Sequence, residues 1–207
     1  MSDAAAGGPI GSPTGGNDPR LERRAAIRAL LAERGELLLV TGLGSTTYDA
    51  ASLGDDDRNF YLWGAMGAAA MIGLGLAIAR PDRRVLVVTG DGEMLMGLGA
   101  LATVGVERPP NLAIAVFDNG QYAETGMQRS HTQAGVSLAG VARACGIETV
   151  FDITDTAALR DFAARLRQFD RTLFARVAIT ADEPPRVLPS RDGVYLKTRF
   201  RRAIGAE

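Results

Sequence analysis

The 207 residues suffice for one α/β domain with a substantial core, and two full domains would be crowded. Basic and acidic residues number 23 and 24, so no global field draws the chain to nucleic acid or an anionic membrane, which leaves small-molecule chemistry as the default. The single cysteine, Cys145, excludes an internal disulfide framework, reads as core at a helix end and fits a reducing cytoplasm; no basic-then-apolar signal opens the chain.

Residues 1–18 are Gly, Ala, Ser and Pro with almost no large apolar side chain, and are expected to be a disordered tail. Asp18-Pro19 is a helix-start signal, and Leu21, Ala25, Ile27, Leu30 and Leu31 predict an amphipathic helix ending near Gly35. Glu36 to Thr41 is a continuous apolar run after its first residue, typical of a strand buried on both faces of a parallel sheet. Gly42 to Thr47 follows as a loop at that strand's carboxyl end, with Ser45 to Asp49 a poor helix start. The third glycine of a dinucleotide fingerprint is missing, so a cofactor-edge or substrate loop is the preferred reading. Glu36 lies at the opposite strand end, away from any chemistry there. Asp55-Asp56-Asp57-Arg58 reads as a solvated charge run. Phe60 to Ala79 carries no charge for 20 residues, the length of a membrane span, but Gly64, Gly67, Gly73, Gly75 and many alanines favour a closely packed buried helix closed by Arg80-Pro81.

The centre of the chain runs from Val85 to Gln121: a hydrophobic strand, Thr89-Gly90-Asp91-Gly92, a helix near Glu93, a second strand, and Asp118-Asn119-Gly120-Gln121. Asp91 and Asn119 are 119 − 91 = 28 positions apart, about what a crossover helix and a parallel neighbouring strand consume, so both emerge at one sheet edge. Open α/β sheets bind ligands there. A carboxylate and an amide oxygen suit a hard divalent cation such as Mg²⁺, and the flanking glycines let a phosphate approach the backbone. In isolation, Gly-Asp-Gly is more often a plain turn. Tyr122 to Ala134 is a long polar loop, Ser137 to Ala144 a helix, Glu148 to Phe151 a strand, Asp155 to Gln168 a helix and Leu173 to Ile179 a last strand. The fold class expected is α/β: one three-layer domain over residues 19–181, a mostly parallel sheet with helices on both faces. Residues 182–207 are expected to be a basic tail wrapped on a partner.

The pair Gly90-Asp91-Gly92 and Asp118-Asn119 resembles the metal and diphosphate motif of thiamine-diphosphate enzymes, and Gly64 to Ala70 resembles the segment of the decarboxylase branch that receives the aminopyrimidine ring. The resemblance covers roughly Glu36 to Ala178 and is strongest to the separate cofactor-binding (beta) subunits of sulfopyruvate and phosphonopyruvate decarboxylases. It implies a thiamine-diphosphate-binding fold, with Mg²⁺ held by Asp91, Asn119 and the backbone carbonyl of Gln121. It implies a cofactor-binding set of Gly64, Met66, Gly90, Asp91, Gly92, Glu93, Asn119 and Gln121. The Gly64 carbonyl would accept from the cofactor's 4′-amino group, and Met66 would wedge beneath the rings and bend the cofactor; the alternative for Met66 is simple core. The implied reaction is non-oxidative loss of CO₂ from a 2-keto acid, giving an aldehyde, with the cofactor as electron sink.

The family also needs a glutamate on the pyrimidine N1′, carried by a different domain. No such domain is found here, so the resemblance implies a companion pyrimidine-binding (alpha) subunit and a cytoplasmic hetero-oligomer of dimers. Glu93 departs from the small residue that related decarboxylases often carry beside the diphosphate, and is expected to point away from it, since a carboxylate repels phosphate. His131, the one histidine, is a catalytic candidate through its loop, with a surface role as the alternative. Arg129 could receive the anionic tail of the substrate or simply be solvated. An acetolactate-synthase-like carboligase, a 2-oxoacid oxidoreductase subunit and a non-catalytic thiamine-diphosphate-binding module are the alternatives to a decarboxylase.

Overall fold

The computed structural model describes residues 20–206, so the expected N-terminal tail over residues 1–18 lies outside the described residues. Six strands form one parallel sheet: β1 (Leu38–Thr41), β2 (Asn59–Tyr61), β3 (Val85–Gly90), β4 (Leu112–Asp118), β7 (Thr149–Ile153) and β8 (Leu173–Ala178), in the order β2-β1-β3-β4-β8-β7. A two-stranded antiparallel hairpin, β5 (Gln121–Tyr122) and β6 (Gln128–Arg129), stands apart within the loop after β4.

The central strands are apolar throughout because both of their faces are covered. Leu39, Leu86, Val88, Ala113, Ala115 and Phe117 point to one face, where they meet α1 (Arg23–Leu31), α2 (Ser45–Ala51) and α7 (Thr156–Leu166). Leu38, Val40, Val85, Val87, Leu112, Ile114 and Val116 alternate with them and meet α3 (Ala69–Ala79), α5 (Ala100–Glu107) and α6 (Leu138–Ala144) on the other. This is the expected three-layer α/β architecture. Gly73 lets α3 press on the sheet, since a Cβ there would lie 2.1 Å from Val87 Cγ2. The uncharged Phe60–Ala79 stretch splits between β2 and an 11-residue helix, and among the described residues no helix is long and apolar enough to cross a membrane.

Four expectations change. The helix expected from Pro19 starts at Arg23, with the Glu22 carboxylate capping the N–H groups of Arg24 and Ala25; Leu21 instead bridges Ile179 beside β8. The loop expected over Gly42–Thr47, with Ser45–Asp49 a poor helix start, gives way at Ser45 to helix α2, which buries Thr46, Thr47, Tyr48 and Asp49 as well as Ala50 and Ala51. Residues 55–58 are not merely solvated: Asp55 accepts from Arg199 Nη1 at 2.5 Å and from Tyr61 Oη at 3.0 Å. Residues 182–207 carry a helix, α8 (Gly193–Ala203), which buries Leu196, Arg199 and Phe200 against this chain, with Asp192 as its cap. The strand at Asn59–Tyr61 went unseen because three residues carry too little pattern.

Candidate active site at the strand carboxyl ends

The sheet reverses direction of growth between β1 and β3: the chain adds β2 outside β1, then returns to place β3 on the other side. Such a switch point leaves a crevice above the carboxyl ends of the strands. A cleft of about 600 Å³, open to solvent, lies there. It takes Leu43, Ser45 and Thr46 from the end of β1, Gly90 to Glu93 from β3, Phe117, Asn119, Gln121 and Tyr122 from β4 and its hairpin, and Met66 from the turn before α3. Gly90 is in register with Phe117, which sets Asp91 level with Asp118 and Asn119 one residue further out. Thus Met66, Gly90, Asp91, Gly92, Glu93, Asn119 and Gln121, separated widely in sequence, share one wall. Gly64 and His131 do not line it.

Asp91 is 2% exposed and Asn119 8%. Asp91 Oδ2 accepts from Ser130 Oγ and, at 3.2 Å, from Thr132 Oγ1, whose oxygen is also 2.8 Å from Asp118 Oδ1. Asp118 is fully engaged: Arg176 Nε donates to Oδ2 at 2.7 Å and the Gly120 N–H to Oδ1 at 3.0 Å. It is therefore a brace for the turn, while Asn119, whose Oδ1 accepts the Gln121 N–H at 2.9 Å, fixes the path of the chain toward Gln121. Burial first, then the nearby Asp118 charge, push the Asp91 carboxyl up to about 6 against the pull of Ser130 and Thr132. A carboxylate so placed gains from a neighbouring cation. The Gln121 side-chain Oε1, buried on the same wall, has no hydrogen-bond partner. Among the described residues no group of three His, Cys, Asp or Glu side chains could hold a metal, so a cation here would draw on one carboxylate with amide and carbonyl oxygens.

The two glycines around Asp91 differ in role. At Gly90 a Cβ would meet nothing within 4 Å, so its backbone is open to a ligand, whereas at Gly92 it would lie 2.5 Å from the Tyr122 ring. Gly92 thus serves packing of the hairpin. Glu93, 5% exposed, turns beneath this floor and accepts from Thr89 Oγ1 at 2.8 Å. Burial raises its carboxyl, opposed by Thr89 and by the backbone N–H groups of Gly67, Ala69 and Leu43.

The Met66 turn is held in an unusual backbone. Ala65 has φ 55° and Gly67 φ 91°, and the Ala68 N–H closes the turn on the Ala65 carbonyl at 3.0 Å. A left-handed alanine persists only where its surroundings impose it. Those surroundings include Trp63, whose indole N–H donates to the Ser190 carbonyl at 2.7 Å and whose ring lies under Arg191. Met66 is half-buried, with Gly64 and Ala65 exposed beside it.

His131 is exposed, its Nδ1 3.1 Å from Tyr122 Oη, so it stands behind a cleft residue rather than in the cleft. Arg129 is exposed and donates to Gln133 Oε1 at 2.6 Å. Sequence reasoning missed Arg23, the one basic side chain among the described residues that lines this cleft. It is 4% exposed, donates to Ser45 Oγ at 3.1 Å and shares Asp49 with Arg24. Burial nevertheless raises the Asp49 carboxyl, opposed by both arginines. Ser130 and Thr132 lie within the polar loop expected over Tyr122 to Ala134, and Asp118 directly precedes Asn119 in its motif.

Residues 43–177 match the family "Thiamine pyrophosphate enzyme, C-terminal TPP binding domain". The chain is 34% identical over 182 residues to sulfopyruvate decarboxylase subunit beta of Methanocaldococcus jannaschii, covering 86% of this chain and 94% of that one. It is 43% identical over 161 residues to phosphonopyruvate decarboxylase of Streptomyces viridochromogenes, covering 77% of this chain but only 40% of that protein's length. The fold matches benzoylformate decarboxylase of Polynucleobacter necessarius with a TM-score of 0.65 at 20% identity, over 84% of this chain and 36% of that one. The crevice at the strand ends and these similarities agree: the chain belongs to the thiamine pyrophosphate enzymes, in the decarboxylase branch that includes the sulfopyruvate decarboxylase beta subunits.

Proposed function

We propose that this chain is the cofactor-binding subunit of a thiamine-diphosphate- and Mg²⁺-dependent 2-keto acid decarboxylase that acts on a small keto acid with an anionic tail, of the sulfopyruvate or phosphonopyruvate kind, releasing CO₂ and an aldehyde. The observation that supports it most is the meeting of Asp91, Asn119, Gln121 and the Met66 turn in one crevice at the β1/β3 switch point. The residues fit the group: an open backbone at Gly90, a carboxyl at Asp91 raised first by its burial and then by the nearby Asp118 charge, and an unpartnered side-chain oxygen, Oε1, at Gln121.

In this reading Asp91, Asn119 and the Gln121 carbonyl hold the cation, and Gly90 and Asp91 open their backbone to the diphosphate. Bound there, the cofactor supplies the electron sink into which the keto acid's carboxylate loses CO₂. The chain would bind and aim: Met66, on a turn held by Ala65 and Gly67, would support the cofactor's rings, and the Gly64 carbonyl, beside the cleft on that turn, would accept from its 4′-amino group. Positioning of this kind is worth several kcal/mol of barrier, on the order of 7–11 in the best intramolecular cases. The exposed side of the Met66 turn would be closed by a companion chain carrying the pyrimidine-activating glutamate.

The test is CO₂ release from sulfopyruvate, phosphonopyruvate and pyruvate, with Mg²⁺ and thiamine diphosphate, by the chain alone and with a companion alpha-type polypeptide. Turnover only with the companion is expected. Cofactor binding without turnover in either arrangement would identify a non-catalytic module instead.

A further inference from the structure

The six strands of the parallel sheet carry three charged residues, Asp118 on β4, Asp152 on β7 and Arg176 on β8, and all three meet. The register brings them together. Arg176 stands opposite Asp152 on one side and opposite Val116 on the other, two residues short of Asp118, so the three side chains share one sheet face near the strand carboxyl ends. Its guanidinium donates from Nε to Asp118 Oδ2 at 2.7 Å and from Nη1 to Asp152 Oδ1 at 3.2 Å. Asp152 is half exposed, and its pairing contributes little. Asp118 is 4% exposed, where an ionised carboxylate needs a cationic partner.

Asp118 directly precedes Asn119, yet it stays outside the candidate cation site. The cleft takes Phe117 and Asn119 but not Asp118 between them. Both Asp118 oxygens are occupied, Oδ2 by Arg176 and Oδ1 by the Gly120 N–H and the Thr132 hydroxyl. The same Thr132 oxygen is 3.2 Å from Asp91 Oδ2, so two carboxylates flank one hydroxyl, and of the two it is Asp118 that holds the arginine. Two free carboxylates this close would attract a hard divalent cation by themselves, since affinity rises with the number of charged ligands offered. With Arg176 in place, one of them is committed to the guanidinium.

We propose that Arg176 is a positioning residue: by holding the Asp118 carboxylate toward β8, it leaves Asp91 as the carboxylate presented to a divalent cation, so that the cation is held weakly until the diphosphate supplies further oxygens. The inference deepens the cofactor reading above and rests on it. A guanidinium that served only to brace the turn would predict the opposite sign. Loosening Asp118 and Asn119 would weaken cation binding, whereas freeing a carboxylate strengthens it.

The experiment counts Mn²⁺ bound to the full chain, from the electron paramagnetic resonance signal of the free ion, at about pH 8, where carboxylates are ionised, first without thiamine diphosphate and then with it. The variants are Arg176→Met, Arg176→Gln, Arg176→Lys, and Arg176→Met combined with Asp118→Asn. Without the cofactor, Arg176→Met is expected to bind Mn²⁺ about tenfold more tightly than the wild type, and Arg176→Lys, which keeps the charge, to stay within about threefold of it. Arg176→Gln keeps an N–H donor for Asp118 while losing the charge; it should also bind more tightly, and it gives the readout if Arg176→Met fails to fold. Adding Asp118→Asn to Arg176→Met should return binding to the wild-type level. Binding no tighter in either neutral variant, or a gain that survives Asp118→Asn, would overturn the proposal. The second arm tests the cofactor reading separately. Thiamine diphosphate should tighten Mn²⁺ binding by the wild type; a wild type whose Mn²⁺ binding it leaves unchanged removes that reading, while the cofactor-free comparison still decides the role of Arg176.

Discussion

Gly67 and Gly97 touch backbone to backbone: a Cβ on Gly97 would lie 2.0 Å from the Gly67 carbonyl oxygen, and one on Gly67 would lie 2.9 Å from the Gly97 nitrogen. The contact joins the Met66 turn to the end of α4 (Asp91–Met96), the helix that Asp91 opens. The two halves of the candidate site are thus in van der Waals contact independently of any ligand. Backbone cannot swing aside as a side chain can. Gly97→Ala should therefore cost about 1–3 kcal/mol of stability and weaken thiamine diphosphate binding. Gly64→Ala, with nothing within 4 Å of its Cβ, should leave the melting temperature unchanged. Thermal melts of the two variants side by side check this; equal melting temperatures would mean that the contact carries no strain.

Asp91 gives a pH signature in the metal-free chain. Its folded carboxyl is raised to about 6 from 3.8, so the protonated form is favoured by folding. Its contribution is fully present below the unfolded value and is lost as pH rises through about 6, on the order of 3 kcal/mol by pH 7. Asp91→Asn should remove that loss and make the metal-free chain relatively more stable at pH 7 than at pH 4. Urea unfolding of both forms in chelator across that range measures it. A divalent cation should reverse the trend in the wild type, because it requires the carboxylate.

Much of this was legible in the sequence, for physical reasons that particular residues make plain. Val85 to Val88 and Leu112 to Val116 are continuous apolar runs because helices cover both faces of the sheet, and the 28-residue spacing of Asp91 and Asn119 is about what a parallel crossover consumes. Helix α2 was not legible. Besides Ala50 and Ala51 it buries Thr46, Thr47, Tyr48 and Asp49, and Thr46, Thr47 and Asp49 are satisfied by Gly42, Thr41 and two arginines that periodicity cannot locate. Arg23 was hidden for the same reason, since its partner Asp49 is 26 residues away. The docking of α8 depends on Arg199 reaching Asp55 across 144 residues, a pairing with no local signature.

That pairing makes its own prediction. Arg199 is 7% exposed, meets Asp55 at 2.5 and 2.9 Å, and lies over the rings of Tyr61 and Tyr195. Arg199→Ala should cost about 2–3 kcal/mol, as expected for losing buried charge-assisted hydrogen bonds, and should release α8 from β2. Limited proteolysis beyond residue 190 would then precede cleavage elsewhere. An unchanged unfolding midpoint with α8 still protected would contradict the anchoring role.

Met66→Ala separates a wedge from simple core. As a wedge, the variant should bind cofactor with modest loss and turn over at least tenfold more slowly per folded site, with little change in melting temperature. As core, it should lose about 2–5 kcal/mol of stability and retain turnover. The half-buried state of Met66 at the cleft points to the first outcome. Melting curves and single-turnover rates on the assembled enzyme decide between them.

The most direct measurement is a calorimetric titration of thiamine diphosphate into the wild type, Asp91→Ala and Asn119→Ala, each with Mg²⁺ and again in chelator. The expected result is binding to the wild type with Mg²⁺, its loss in chelator, and its loss in both variants with Mg²⁺ present, because these two side chains would hold the cation that the diphosphate needs. Equally tight binding by Asp91→Ala in chelator would contradict the assignment of this crevice as a metal and diphosphate site.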